Sequence, residues 1–88
     1  MIQKEITLTN RLGLHARPAA MVVQLASKFK SEIKLKKEDV EVNAKSIMGV
    51  MMLAAEMGSK IFIRAEGEDE AQAVEALAEL FDDKFGED

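Results

Sequence analysis

The spacing of apolar and polar residues changes character several times along the chain, and each change marks an element. Residues 2–8 alternate, with Ile2, Ile6 and Leu8 on one face and Gln3, Glu5 and Thr7 on the other, which predicts a half-buried strand. Asn10-Arg11-Leu12-Gly13 breaks that pattern as a loop, in which Gly13 can take a positive φ. From Pro18 the period lengthens. Ala19, Val22, Val23 and Ala26 fall at i, i+3, i+4 and i+7, and Leu25 and Phe29 widen the stripe, so the segment predicts an amphipathic helix of about three turns. Proline favours the first helical position, which places the helix start within a residue or two of His15. Glu32–Lys36 and Val40–Val42 alternate again on either side of Lys37-Glu38-Asp39, the pattern of a hairpin. Ser46 is placed to cap a short helix in the apolar run Ile47–Ala55. Lys60–Ala65 reads as a fourth strand with Ile61, Ile63 and Ala65 on one side. After a turn at Glu66-Gly67-Glu68, Asp69 and Gln72 form a capping box for a last helix, whose stripe is Val74, Leu77, Ala78, Phe81 and Phe85 and whose C-cap is Gly86.

The order is therefore βαββαβα. Alternating strands suit an antiparallel sheet with helices on one face and solvent on the other, an α+β two-layer fold in a single domain spanning 1–88. At 88 residues the chain has room for such a core but not for a deep enclosed cavity. The absence of cysteine excludes a disulfide framework, a thiolate nucleophile and a thiolate-bound metal, and the single histidine excludes a His-rich centre. No cofactor or metal is expected. No run approaches the ~20 apolar residues of a membrane span, and Glu5 interrupts any secretory signal, so membrane insertion is not expected and the expected compartment is the cytoplasm. Charge is unevenly spread: residues 1–46 carry nine basic and five acidic side chains, residues 47–88 three and eleven. The basic half can steer the chain toward an acidic partner. It has no dense Lys/Arg stripe interleaved with aromatic residues, so nucleic acid is not expected.

One segment carries candidate chemistry: Gly13-Leu14-His15-Ala16-Arg17-Pro18. An imidazole has an ordinary pKa of ~6.5, so at neutral pH one ring nitrogen is free to attack phosphorus. The helix that follows offers unpaired N–H groups and the positive end of its dipole to an anion. Arg17 adds a guanidinium for phosphoryl oxygens, and no acidic residue stands nearby in sequence to repel a phosphate. The plain alternative is a histidine that caps or packs at a helix start.

Two motifs go further. Leu12-Gly13-Leu14-His15-Ala16-Arg17-Pro18-Ala19-Ala20 resembles the active-site signature of the HPr family, the histidine-containing phosphocarriers of the phosphoenolpyruvate-dependent phosphotransferase system. Asn43-Ala44-Lys45-Ser46-Ile47-Met48-Gly49-Val50-Met51 resembles the regulatory-serine motif of the same family. The resemblance covers the whole chain. It implies an open-faced sandwich with sheet order 1-4-2-3, three helices on one face, and a monomer. It further implies that His15 accepts a phosphoryl group on Nδ1 from phosphorylated enzyme I and donates it to enzyme IIA components of sugar transporters. The phosphate would lie against Ala16, Arg17 and Pro18 at the helix N-terminus. Such a protein is one station in a relay rather than a stand-alone enzyme.

The Met-rich segment Ile47–Met57 cannot bury all its apolar residues on a short helix. Ile47, Met48, Met51 and Met52, with Ala20, Met21, Gln24 and Lys28, are the expected docking patch, since flexible Met side chains adapt to several partners. Ser46 serves as an N-cap on its own terms. The resemblance adds phosphorylation by an HPr kinase/phosphorylase, which would put ~−1.5 to −2 charges beside the patch. Ala54 stands where many family members have Gly, and Ser27 where some have Lys. The ends Leu80-Phe81 and Phe85-Gly86-Glu87-Asp88, like Asn10-Arg11-Leu12-Gly13, resemble a nitrogen-related branch that hands phosphate to a regulatory IIA. A further alternative is a non-catalytic catabolite-repression module; such relatives lack the active histidine, so His15 weighs against it.

Overall fold

The computed structural model describes residues 1–87. Asp88, the last residue of the C-terminal segment compared above with the nitrogen-related branch, lies outside the described residues. The chain runs β1 (Ile2–Thr7), α1 (Ala16–Ala26), β2 (Glu32–Lys37), β3 (Val40–Asn43), α2 (Ile47–Met52), β4 (Lys60–Glu66) and α3 (Glu70–Asp82), then a 3-10 turn at Lys84–Gly86. The four strands form one antiparallel sheet in the order β1-β4-β2-β3, with Ile6 opposite Ile61, Leu35 opposite Ile63 and Leu35 opposite Val42. This register puts Ile33, Leu35, Ile61, Ile63 and Ala65 on one buried face. Val22 of α1, Val50 of α2, and Val74, Leu77 and Phe81 of α3 close the core over it. The opposite face carries charge: Arg64 Nη1 lies 3.3 Å and Lys34 Nζ 3.9 Å from the Glu41 carboxylate. Among the described residues no helix is long and apolar enough to cross a membrane, and no cluster of three or more His, Cys, Asp or Glu is arranged to hold a metal.

Four local expectations change. Pro18 is the third residue of α1 rather than the first; its missing N–H is harmless there, because the first α1 bond is Ala19 N–H to His15 O. Phe29 lies beyond α1, in the turn toward β2. The capping box at α3 does not form. The Asp69 carboxylate instead accepts from Lys30 N–H and Ser31 N–H, each at 2.9 Å, and from the Ser31 hydroxyl, while Glu70 accepts from Gly67 N–H. Finally, α3 ends at Asp82. Phe85 enters the core not from a helical stripe but from a turn in which Lys84 and Phe85 have φ of 54° and 58°, and its ring meets Phe81 edge-on at 5.0 Å. That turn brings Glu87 back toward the start of α1.

At the end of α2, Ala54 has φ 48°, the left-handed conformation in which glycine avoids a Cβ penalty. Lys37 Nζ donates to the carbonyls of Leu53 and Ala54 at 3.2 and 3.4 Å, putting a cation where the helix dipole is negative.

Candidate functional site

The loop before α1 is held by two contacts. Gly13 has φ 69° and lies so close to the Ala55 carbonyl that a Cβ would overlap it. Leu14 N–H then donates to that same carbonyl at 3.0 Å. The loop that presents His15 is thereby fastened to the segment leaving α2, while α1 packs beside α2. His15 is the N-cap of α1 in extended conformation, and its side chain makes no capping hydrogen bond. Among the described residues no acceptor takes the N–H of Ala16 or Arg17, so both point free at the helix start, beside a half-buried imidazole.

The ring is held by a residue from the far end of the chain. His15 Nε2 lies 2.9 Å from Glu87 Oε1, and Asn10 Nδ2 donates to the same oxygen at 2.9 Å. The second Asn10 amide hydrogen goes to the Gly13 carbonyl at 2.7 Å. Asn10 is fully buried, and its Oδ1 has no partner among the described residues. Turning the amide over would set that oxygen against two acceptors, which fixes its orientation. Arg17 Nη1 lies 4.0 Å from Glu87 Oε2 and its side chain is 68% exposed, so it is loosely held and can turn. The hydrogen bond from His15, then that from Asn10, hold the Glu87 carboxyl below the usual carboxylate range.

His15, Ala16, Arg17 and Pro18 are thus together at one helix start, as the motif implied. Asn10 and Glu87 were not foreseen as site residues. Asn10 read only as a loop former, and nothing local to Glu87 points to a residue 72 positions away. Of the expected docking residues, Ile47, Met48, Met51 and Met52 are exposed on α2, with Met48 and Met52 about seven-tenths accessible. On α1, Gln24 and Lys28 are exposed, Ala20 is half-buried, and Met21 is half-buried with its side chain packed against the core. Leu12, on the His15 loop, is a comparably exposed apolar residue that was not foreseen as part of the patch. Ser46 Oγ accepts from Gly49 N–H at 3.1 Å as the N-cap of α2. A surface groove of about 560 Å³, lined by Leu25, Ala76, Glu79, Leu80, Asp82 and Asp83, does not include His15.

Comparison with known proteins agrees with this layout. The family model described as PTS HPr component phosphorylation site matches residues 2–83. The phosphocarrier protein HPr of Xylella fastidiosa (strain Temecula1) is 56% identical over 88 residues, covering 100% of this chain and 99% of its own. The HPr-like protein Crh of Bacillus subtilis is 47% identical over 78 residues, 89% of this chain and 92% of its own. The crystal structure of HPr-C-His from Thermoanaerobacter tengcongensis superposes with a TM-score of 0.96 at 50% identity, covering 100% of this chain and 99% of that one. With the family model spanning nearly the whole chain and the open-faced sandwich reproduced in sheet order, the chain belongs to the HPr family of phosphocarriers of the phosphotransferase system.

Proposed function

We propose that the chain, as a cytoplasmic monomer, carries a phosphoryl group on His15 Nδ1, taking it from phosphorylated enzyme I and passing it to enzyme IIA components that serve sugar uptake. The observation that carries this reading is the arrangement at the α1 start: a half-exposed imidazole engaged at Nε2, beside the unpaired N–H groups of Ala16 and Arg17. The Nδ1 lone pair forms a new bond to phosphorus as the P–N bond in the donor breaks and its electron pair returns to the donor nitrogen. The Ala16 and Arg17 amides, the α1 dipole and the Arg17 guanidinium face the charge on the phosphoryl oxygens. Passing the group on reverses the roles. The stabilisation is open to solvent on one side, so the bound group remains within reach of the next acceptor.

The exposed Ile47, Met48, Met51 and Met52 supply the docking patch. Ser46, at the edge of that patch, is the site for an HPr kinase/phosphorylase; the match of Lys45-Ser46-Ile47-Met48-Gly49 to the regulatory-serine motif supports this. The test is incubation with enzyme I and phosphoenolpyruvate, with intact mass read at neutral and acid pH. The wild type should gain one acid-labile phosphoryl group, and His15→Ala should fold normally and gain none. Full labelling of His15→Ala would overturn the reading. Onward transfer to a sugar-transport IIA rather than a regulatory one then assigns the branch.

A further inference from the structure

Glu87 lies outside the span matched to the family and has three partners at the site: His15, Asn10 and Arg17. We propose that Glu87 is a positioning residue for His15: its carboxylate keeps the ring in the Nε2–H tautomer, leaves the Nδ1 lone pair bare, and offsets the positive charge the ring gains as the Nδ1–P bond forms. This inference rests on the phosphocarrier reading of the same site.

The geometry allows little else. An ionised carboxylate oxygen only accepts hydrogen bonds, so Oε1 at 2.9 Å from Nε2 calls for the proton on Nε2. A neutral ring with its proton there has none on Nδ1, and among the described residues no hydrogen bond engages Nδ1. Asn10 keeps the carboxylate in place: it is fully buried, one amide hydrogen is fixed on Gly13 O, and the other is on Oε1. The Glu87 side chain is only 15% exposed, unlike the partners of an ordinary surface ion pair. When Nδ1 binds phosphorus while Nε2 keeps its proton, the ring becomes cationic, and the carboxylate beside it stabilises that charge as the aspartate does in a carboxylate–imidazole pair. Arg17, held at 4.0 Å and mostly exposed, can leave Oε2 for the phosphoryl oxygens without disturbing the bond to the ring. The contrary view is that Glu87 repels the incoming phosphoryl group; it predicts that removing Glu87 speeds transfer.

The experiment compares wild type, Glu87→Ala, Glu87→Gln and, as a charge control on the exposed face of α3, Glu75→Ala. Ring nitrogen resonances of 15N-histidine-labelled, unphosphorylated protein are recorded at alkaline pH, where imidazole is neutral. Wild type should show the Nε2–H tautomer. In Glu87→Ala the two nitrogen resonances should move toward each other as the Nδ1–H tautomer appears. Glu87→Gln should keep the wild-type tautomer, because the Asn10 and His15 donors both select its amide oxygen. Single-turnover labelling by enzyme I and phosphoenolpyruvate should be about tenfold slower for Glu87→Ala, intermediate for Glu87→Gln and unchanged for Glu75→Ala. Wild-type ring resonances in Glu87→Ala, or labelling at least as fast as wild type, would overturn the proposal. Wild type that takes no label overturns the phosphocarrier reading and Glu87's catalytic part with it, whereas the ring resonances, recorded without any partner, still decide whether Glu87 sets the tautomer.

Discussion

Replacing Gly13 with alanine tests how the His15 loop is held. Two separate costs meet at this residue. A Cβ at φ 69° carries the left-handed penalty, about 1–2 kcal/mol. That alone is tolerable, since Glu38 and Ala54 already sit at φ 54° and 48°. The second cost is steric. The new methyl would overlap the Ala55 carbonyl and stand 3.1 Å from Glu56 Cα, both backbone atoms that cannot rotate aside. Relieving the overlap means parting the loop from the α2 exit and stretching the Leu14–Ala55 hydrogen bond, which adds about 1–3 kcal/mol.

Gly58 supplies the internal control. It has φ 93° and nothing within 4 Å of a built Cβ, so Gly58→Ala carries the backbone cost alone. Urea titration should place Gly13→Ala about 2–5 kcal/mol below wild type and Gly58→Ala about 1–2 kcal/mol below. For a domain of this size each kcal/mol moves the melting midpoint by about 4–8 °C. The Gly13 variant should also take phosphate more slowly than the Gly58 variant when both are fully folded, because only the first moves His15. Equal stabilities for the two alanine variants would refute the argument from the Ala55 carbonyl.

Two further perturbations separate stability from function. The Ser31 hydroxyl, followed by the Lys30 N–H, lowers the Asp69 carboxyl from 3.8 to about 2. A carboxyl depressed by folding stabilises the fold above its unfolded value, and this contribution is lost as pH falls from about 4 to about 2. Asp69→Asn should therefore melt lower at neutral pH and lose less stability across that acid window; parallel losses in the two proteins would count against the assignment. At Ser46, alanine removes the acceptor for Gly49 N–H and should lower stability by about 1 kcal/mol while leaving labelling by enzyme I nearly unchanged. Ser46→Asp should keep the cap but weaken enzyme I binding in a salt-sensitive way, and equal affinities for Asp and Ser at low salt would leave Ser46 a capping residue only.

What could be read before any coordinates was whatever repeats at short range. Alternation at Ile61, Ile63 and Ala65 announced a strand with one buried side, and the Ala19–Val22–Val23–Ala26 spacing announced α1, because burial imposes those periods directly. Pro18 and the capping preference of serine placed His15 and Ser46 at helix starts, where both stand. Misreadings arose where a local pattern had a competing long-range partner. Asp69 has the sequence of a capping residue, yet its donors come from Lys30 and Ser31, which the fold alone brings near. Phe85 continues the helical stripe on paper, but nothing in Asp82-Asp83-Lys84 signals the break, and packing against Phe81 rewards a left-handed turn instead. Ala54 at φ 48° holds the left-handed conformation in which a glycine would avoid the Cβ penalty.

The same distinction explains why the imidazole was visible and its holder was not. His15 and Arg17 belong to one turn of chain, so their proximity is a matter of spacing. Glu87 reaches the ring because α3 stops at Asp82 and the turn through Lys84 and Phe85 sends the chain back, with the buried Phe85 as its anchor. Asn10 joins this assembly from the loop before α1, linking Gly13, Glu87 and, through Oε1, the ring. The site is a half-buried ring held from behind, with the Ala16 and Arg17 amides beside it and exposed methionines on the adjoining helix. Under the proposed function, half of a phosphoryl-transfer centre would be organised in this way before any encounter. The other half, in-line alignment and exclusion of water, would come from a partner docked on α2, so transfer would be fast only in contact with that partner.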